Sequence, residues 1–414
     1  MKLQKYSIGT GDRFGCQGKA QLKAVIEAQK EGLDIAIVWN KSHREHLITK
    51  TTPSDVLYEA QNAVDELKWN GNYYIDADHI SLSNVDSYID SCNFFTLDLA
   101  EFIGKKGSDV DINSFIEKHK KYTEKTFFPS YKKFFKISKD QLKIIAENYL
   151  LAIKEAGKIY RKIKKKKSNE NFLIEISMDE SKEPQTPTEI FFILAAIADE
   201  KIPINTFAPK FCGNFYKGVD FEGNIKQFTK EFEILQVIIQ FAKQQFSLGD
   251  SLKLSIHSGS DKFSLYKIIN KIMKKYNTGV HLKTSGTTWL EELIGLTMSG
   301  DEGLTISKEI YNKAYNRFDE VCRPYISVIN IDKTKLPNPK IVDNWNTKQF
   351  VRVLNHDISC KDYNPNFRQL LHVSYKIAAE MGSRYINAVK KCEEFINPKV
   401  IENLYKRHIK KLFL

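Results

Sequence analysis

Leu252-Lys-Leu-Ser-Ile-His-Ser-Gly-Ser-Asp-Lys-Phe263 alternates apolar Leu252, Leu254 and Ile256 with polar Lys253, Ser255 and His257. That period of two is a strand whose polar face looks at something other than oil. His257 stands on that face at the strand's end. The small residues that follow let backbone N–H groups approach an anion, and Asp261 and Lys262 bring charge as the next helix begins. Asp261 also reads as a helix N-cap.

Working outward, seven more short runs have β character: residues 5–9, 34–39, 73–77, 94–99, 172–178, 204–208 and 280–284. Amphipathic helical stretches separate most of them, among them 20–29, 54–69 and 188–199, several entered through a Ser, Thr or Pro start signal. Alternating strands and helices predict a parallel sheet, and eight strands predict its closure into a (β/α)8 TIM-like barrel of the α/β class. The gap from about 100 to 169 is too long for one crossover and reads as a helical insertion. After the eighth strand the chain stays helical over 288–297, 307–321, 366–381 and 384–395. The expected organisation is a barrel over 1–330 carrying that insertion, then a C-terminal helical extension over 331–414 packed on the barrel.

At 414 residues and 42% hydrophobic content the chain can bury a large core. Its longest purely apolar run, 190–198, is far shorter than the roughly 20 residues that span a bilayer. No signal-peptide hydrophobic region follows Met1, so a cytoplasmic location and no membrane partner are expected. The six cysteines are scattered without a CxxC pair, which predicts free thiols rather than a zinc ribbon or disulfide framework. A net charge of +12 suits anionic partners. Much of it sits in Arg161, Lys162 and Lys164 to Lys167 at the end of one predicted helix, where cations oppose the carbonyl ends of the dipole. No aromatic residues interleave these lysines, which argues against a nucleic-acid surface.

In such a barrel the chemistry lies at the C-terminal strand ends. Those ends are rich: Gly9-Thr-Gly-Asp-Arg13, Asp76-Ala-Asp-His79, Thr96-Leu-Asp98, Glu175-Ile-Ser-Met-Asp-Glu180, His257 and His281-Leu-Lys-Thr-Ser-Gly286. Alternation puts Asp76 with Asp78, Glu175 with Ser177 and Asp179, and His281 with Lys283 and Ser285 on inward faces. Carboxylates and imidazoles converging there need a cation to organise them, and a His/carboxylate set fits Zn, Mn, Fe, Co or Ni better than Mg or Ca. Taken singly, His281 reads as a hydrogen-bonded structural residue and Asp98 as a helix cap.

Six motifs in order, GTGDRFG, DADH, SMDE followed by PQTPTE, SIHSGSDKF, HLKTSGTTW and RQLLHVSY at Arg368 to Tyr375, resemble the tagaturonate epimerase family. The likeness runs from about Ser7 to His372. One departure is Trp39-Asn40, where that family usually has a Gln pair. The resemblance implies a divalent-metal-dependent barrel that interconverts fructuronate and tagaturonate. On this reading His79, Asp179, His257 and His281 are the expected metal ligands, with Glu180 and His372 next. Asp78 and Glu175, with Asp76 in reserve, are the expected acid/base groups. Asp12, Arg13, Lys262, Lys283 and Arg368 are expected to bind a small acidic sugar, Arg13 as a bidentate clamp. A metal-dependent isomerase or aldolase of another acidic or phosphorylated sugar is the competing enzyme class, and a basic nucleic-acid-binding protein the competing non-enzyme.

Overall fold

The computed structural model describes residues 2–123, 126–128, 133–135, 137–168, 171–258, 261–284 and 286–414. Eight strands, β1 Tyr6–Gly11, β2 Ile35–Ser42, β3 Tyr73–Ile80, β4 Phe94–Asp98, β5 Leu173–Ser177, β6 Ile204–Ala208, β7 Lys253–His257 and β8 Val280–Lys283, form a closed parallel barrel. β1 pairs with both β2 and β8, which closes the ring and leaves no sheet edge. The expected fold class is therefore observed. β2 and β3 run past their predicted ends because Asn40 and Ser42 continue the ladder opposite Asp76 and Asp78.

The helices that cover the outside are α1 Gly18–Lys30, α2 His43–Thr49, α3 Pro53–Glu66, α4 Asp109–His119, α5 Lys139–Lys167, α6 Pro187–Asp199, α7 Ile225–Phe246, α8 Phe263–Tyr276 and α9 Thr287–Met298. Local sequence sets their starts. The Ser138 hydroxyl accepts the Gln141 N–H while Gln141 accepts the Ser138 N–H, and Thr186 with Glu189 repeats this box behind Pro187. Each cap contributes about 1 kcal/mol. Between β4 and β5 lie α4, α5 and two short antiparallel strands, Thr126–Phe128 and Lys133–Phe135, which the helical reading of this segment did not anticipate. The predicted helices 307–321 and 366–381 are each broken, at Arg317 and Ser374.

Most apolar burial lies between the strands and these helices. Inside the barrel, among the described residues, Leu3, Ala36, Val38, Tyr74, Phe94 and Leu173 form a small apolar plug. Above it Ser7, Asp76, Thr96, Glu175, Thr206, Ser255, His281 and Lys283 are all buried. A second apolar cluster joins Trp289 and Leu293 of α9 to Ile306, Phe350, Phe367 and Tyr385 of the later helices. The chain end then returns to the barrel, where Leu404, Ile409 and Phe413 pack in the main core. All six cysteines are free thiols. Among the described residues no helix is long and apolar enough to cross a membrane.

Candidate active site

Three strand ends meet at the barrel mouth. β3 shifts register against β4 between Ala77 and Ile80, and His79 takes a φ of 56° inside this bulge. Strict alternation would turn Asp78 and His79 to opposite faces; the bulge brings both to the mouth. His79 Nε2 lies 3.4 Å from Asp179 Oδ1, and His257 Nδ1 lies 3.0 Å from Asp179 Oδ2. The other nitrogen of each ring is held by a different carboxylate: His79 Nδ1 by Asp78 at 2.9 Å and His257 Nε2 by Glu175 at 2.8 Å. Ser177 Oγ donates to Asp179.

His79, Asp179 and His257 are thus placed with one donor atom each within 4.8 Å of the others. His257 Nδ1 faces Asp179 at ion-pair distance without a well-aligned hydrogen bond, so the nitrogen and the carboxylate point into one common space. Two imidazole nitrogens and a carboxylate, each ring fixed from behind by a carboxylate, fit a transition metal with open positions. Burial alone would lower the His257 imidazole, but Asp179 and Glu175 outweigh it and raise it to about 9. Asp179 stays well below the usual carboxylate range, burial being outweighed by His257 and His79.

One layer down, Lys283 Nζ lies 2.7 Å from Asp76, 2.8 Å from Asp78 and 3.0 Å from Glu175. These carboxylates overcome burial and keep its ammonium charged well beyond the usual range. Burial pushes Asp76 up to about 7 against the pull of Lys283, with Asp78 and Glu175 adding to the rise. Gly9 makes room for this network, since a Cβ there would sit 2.8 Å from Lys283 Cγ. Asp76 and Glu175 are held from below by Thr96 and Thr206 and do not line the open cavity.

That cavity, of about 700 Å³, has His79, Asp179, His257, Asp78, Asp98 and Lys283 among its lining residues. Asp98 accepts the Ala100 N–H, as a cap does, and still reaches the cavity. Glu180 stands at an exposed position on its edge. Arg13 lines it too, with Nε on Glu45 at 2.9 Å, Nη1 on the His372 carbonyl at 2.8 Å and its plane 4.0 Å over Tyr375. Around it come Arg44, Lys210, Lys217 and Tyr325.

Other expected site residues lie elsewhere. His281 is separated from the triad: it sits one layer beneath Lys283, its Nδ1 2.9 Å from Ser7 Oγ, where burial lowers it to about 3 and keeps it neutral. Arg368 is fully buried and donates to Asp261 and to the carbonyls of Gly218 and Leu354, so no substrate reaches it. Lys262 is buried likewise and donates to the carbonyls of Tyr216 and Val219. Asp12 closes its own loop by accepting the N–H groups of Phe14, Gly15, Cys16 and Gln17. Asp261 is not an N-cap; it is a buried hub for Arg368, His356 and His408. The anion-binding backbone expected after His257 includes residues 259 and 260, and Ser285 ends the predicted β8 face; all three lie outside the described residues. Trp39 points outward and donates to Gln21, while Asn40 is buried beside Gly9.

Sequence reading missed Arg44, Lys217 and Tyr325. Lys217 follows β6, a strand end without a His or carboxylate; Tyr325 comes from a turn at Arg323–Val328 with no local sign that it returns to the mouth.

The model of the tagaturonate epimerase family matches residues 1–412. A tagaturonate/fructuronate epimerase of Thermotoga maritima is 27% identical over 420 residues, covering 97% of this chain and 80% of that protein. The glycerol-complexed crystal structure of the fructuronate-tagaturonate epimerase of Cohnella laeviribosi matches the fold at a TM-score of 0.82 and 23% identity, covering 100% of this chain and 82% of that one. The native form of that enzyme gives 0.79 at the same identity and coverage. A family match over almost the whole sequence, on a barrel with this mouth, makes the chain a member of the tagaturonate epimerase family, isomerases acting on sugar acids.

Proposed function

We propose that this chain interconverts D-fructuronate and D-tagaturonate, or a closely related acidic ketose, with a divalent transition metal held by His79, Asp179 and His257. The observation that carries the metal reading is the triad itself, with two histidines turned to one carboxylate and each fixed from behind by another. Family membership and the cationic cavity wall support the substrate class.

The two epimers differ at the carbinol β to the ketone, whose C–H the carbonyl does not acidify. Retro-aldol chemistry avoids that C–H. The carbinol hydroxyl loses its proton, the bond to the carbon beside the ketone breaks, and its electron pair passes into an enediolate. The resulting aldehyde turns over and accepts the electron pair on its other face, and the new alkoxide regains a proton. A divalent ion held by His79, Asp179 and His257 would supply Lewis acidity for the developing enediolate. Asp78 and Asp98, which line the cavity from adjacent strands, take the proton-exchange roles. Lys283 lends fixed positive charge beside the developing alkoxide. Glu175 and Asp76, below the cavity, orient His257 and Lys283 and hold their charge.

Metal content and epimerisation of both uronates, measured before and after chelation, test this reading. We expect about one metal ion per chain, activity lost on chelation and restored by metal, and neither in His257→Ala. Full activity in metal-stripped protein would sink the metal assignment. A loaded protein that turns over phosphorylated ketoses but no uronate would move the substrate to the competing class.

A further inference from the structure

The cavity wall formed by Arg13, Arg44 and Lys217 carries more positive charge than the protein neutralises. Arg13 has Glu45 as its partner, but its Nη2 has none among the described residues. Arg44 forms no ion pair among the described residues; it donates to the Pro324 carbonyl and packs 5.3 Å from the centre of the Tyr325 ring. Lys217 Nζ packs 5.9 Å from the same ring and likewise forms no ion pair among the described residues. Burial lowers the Lys217 ammonium, and Arg13 and Arg44 add to that, with Glu45 and Glu180 opposing. The half-buried Lys217 and the exposed Arg44 meet on one aromatic ring, where like charges repel unless an anion joins them.

The loop that carries Lys217 is rigidly presented. Its own N–H donates to the Val328 carbonyl, Lys262 holds the carbonyls of Tyr216 and Val219, and Arg368 holds that of Gly218. Behind it His372 is fully buried with both ring nitrogens unpartnered. Burial and then Arg13, Lys217, Arg368 and Lys262 hold that imidazole well below its ordinary range, so it stays neutral beside the cations. The carboxylates Asp78, Asp179, Glu175 and Asp76 are all committed to the triad and Lys283.

We propose that Lys217 and Arg44, seated together on Tyr325, form the subsite that binds the carboxylate of the sugar acid and selects it over the neutral sugar. The proposal rests on the sugar-acid reading above, and it adds a residue from the segment after α9, Tyr325, to the specificity of a site otherwise built from barrel strands. Arg13 completes the wall through its remaining nitrogen.

The test compares wild type with Lys217→Met and Arg44→Met, which keep most of each stem and remove the charge, and Lys217→Arg as the conservative rescue. Substrates are fructuronate and tagaturonate against fructose and tagatose, the same skeletons with a hydroxymethyl group in place of the carboxylate. In parallel, calorimetry measures galacturonate against galactose, which needs no turnover. We expect each Met variant to raise the uronate KM and galacturonate Kd by about 10- to 100-fold, the loss of one charge-assisted contact. The kcat on uronates and both constants for the neutral sugars stay within about twofold, and Lys217→Arg recovers most of the loss. Equal losses on uronate and neutral sugar, unchanged uronate constants in both Met variants, or a wild type that does not prefer galacturonate would each overturn the subsite. If the wild type epimerises no uronate but its preference for galacturonate falls in the variants, the epimerase reading fails and the subsite stands.

Discussion

At His79 the backbone adopts a left-handed φ of 56°, which costs a residue with a Cβ about 1–2 kcal/mol. The strain persists because Asp78 and Asp179 hold the two ring nitrogens, and it delivers neighbouring residues of one strand to one mouth. A second residue works against stability for a different reason. Glu292 is buried, with Tyr385 and Gln17 donating to its two oxygens, and burial, with Asp12 adding, pushes it up to about 8. The folded state therefore holds a proton between about pH 4.5 and 8 that the unfolded chain has released. Stability from this group is fully present below pH 4.5 and is lost as pH rises towards 8, at up to about 1.4 kcal/mol per pH unit. Glu292→Gln keeps the shape without the titration, and its amide finds the buried, unpartnered Gln17 oxygen once the Gln17 amide turns over. Its melting temperature should exceed that of wild type at pH 8 and match it near pH 4.5; a constant difference across this range would refute the assignment.

Strands were legible as elements because period-two alternation and turn signals are local, and all eight predicted runs became barrel strands. Their ends were less legible. β3 continues past Ala77 through a bulge that no propensity encodes, since the pairing of Ser42 with Asp78 is a property of the closed sheet. Between β4 and β5, α5 runs from Lys139 to Lys167 as its apolar spacing predicts, and Lys164 to Lys167 make its last turn. Lys162 and Lys166 reach Asp86 at 2.7 and 2.8 Å on the outer surface, in a segment that contributes nothing to the cavity lining. Replacing Lys164, Lys165 and Lys166 by Gln should leave kcat and KM for uronates within about twofold and alter only solubility or salt sensitivity. A large fall in kcat in a variant with wild-type circular dichroism would place this helix over the site.

For the whole molecule, the barrel gathers negative charge at its centre and positive charge on one wall, an arrangement suited to a metal-bound sugar acid. The route of the reaction is open to isotopes. Retro-aldol cleavage never breaks the carbinol C–H, so product formed in D2O should carry no deuterium at the inverted carbon by NMR; deuterium there would favour proton abstraction. Sequence alone determined the barrel, the polarity of its strand ends and the family, because alternation and motif order are properties of neighbouring residues. It also singled out His79, Asp179 and His257, which the fold brings together, but equally His281, which the fold keeps apart. Alternation fixes the face of a residue and not its depth, so only the register of β8 against β1 and β7 set His281 a layer lower beside Ser7. The cationic wall was decided by tertiary structure alone: Arg44, Lys217 and Tyr325 come from segments far apart in sequence, and no local pattern records which distant aromatic ring a loop lysine will meet.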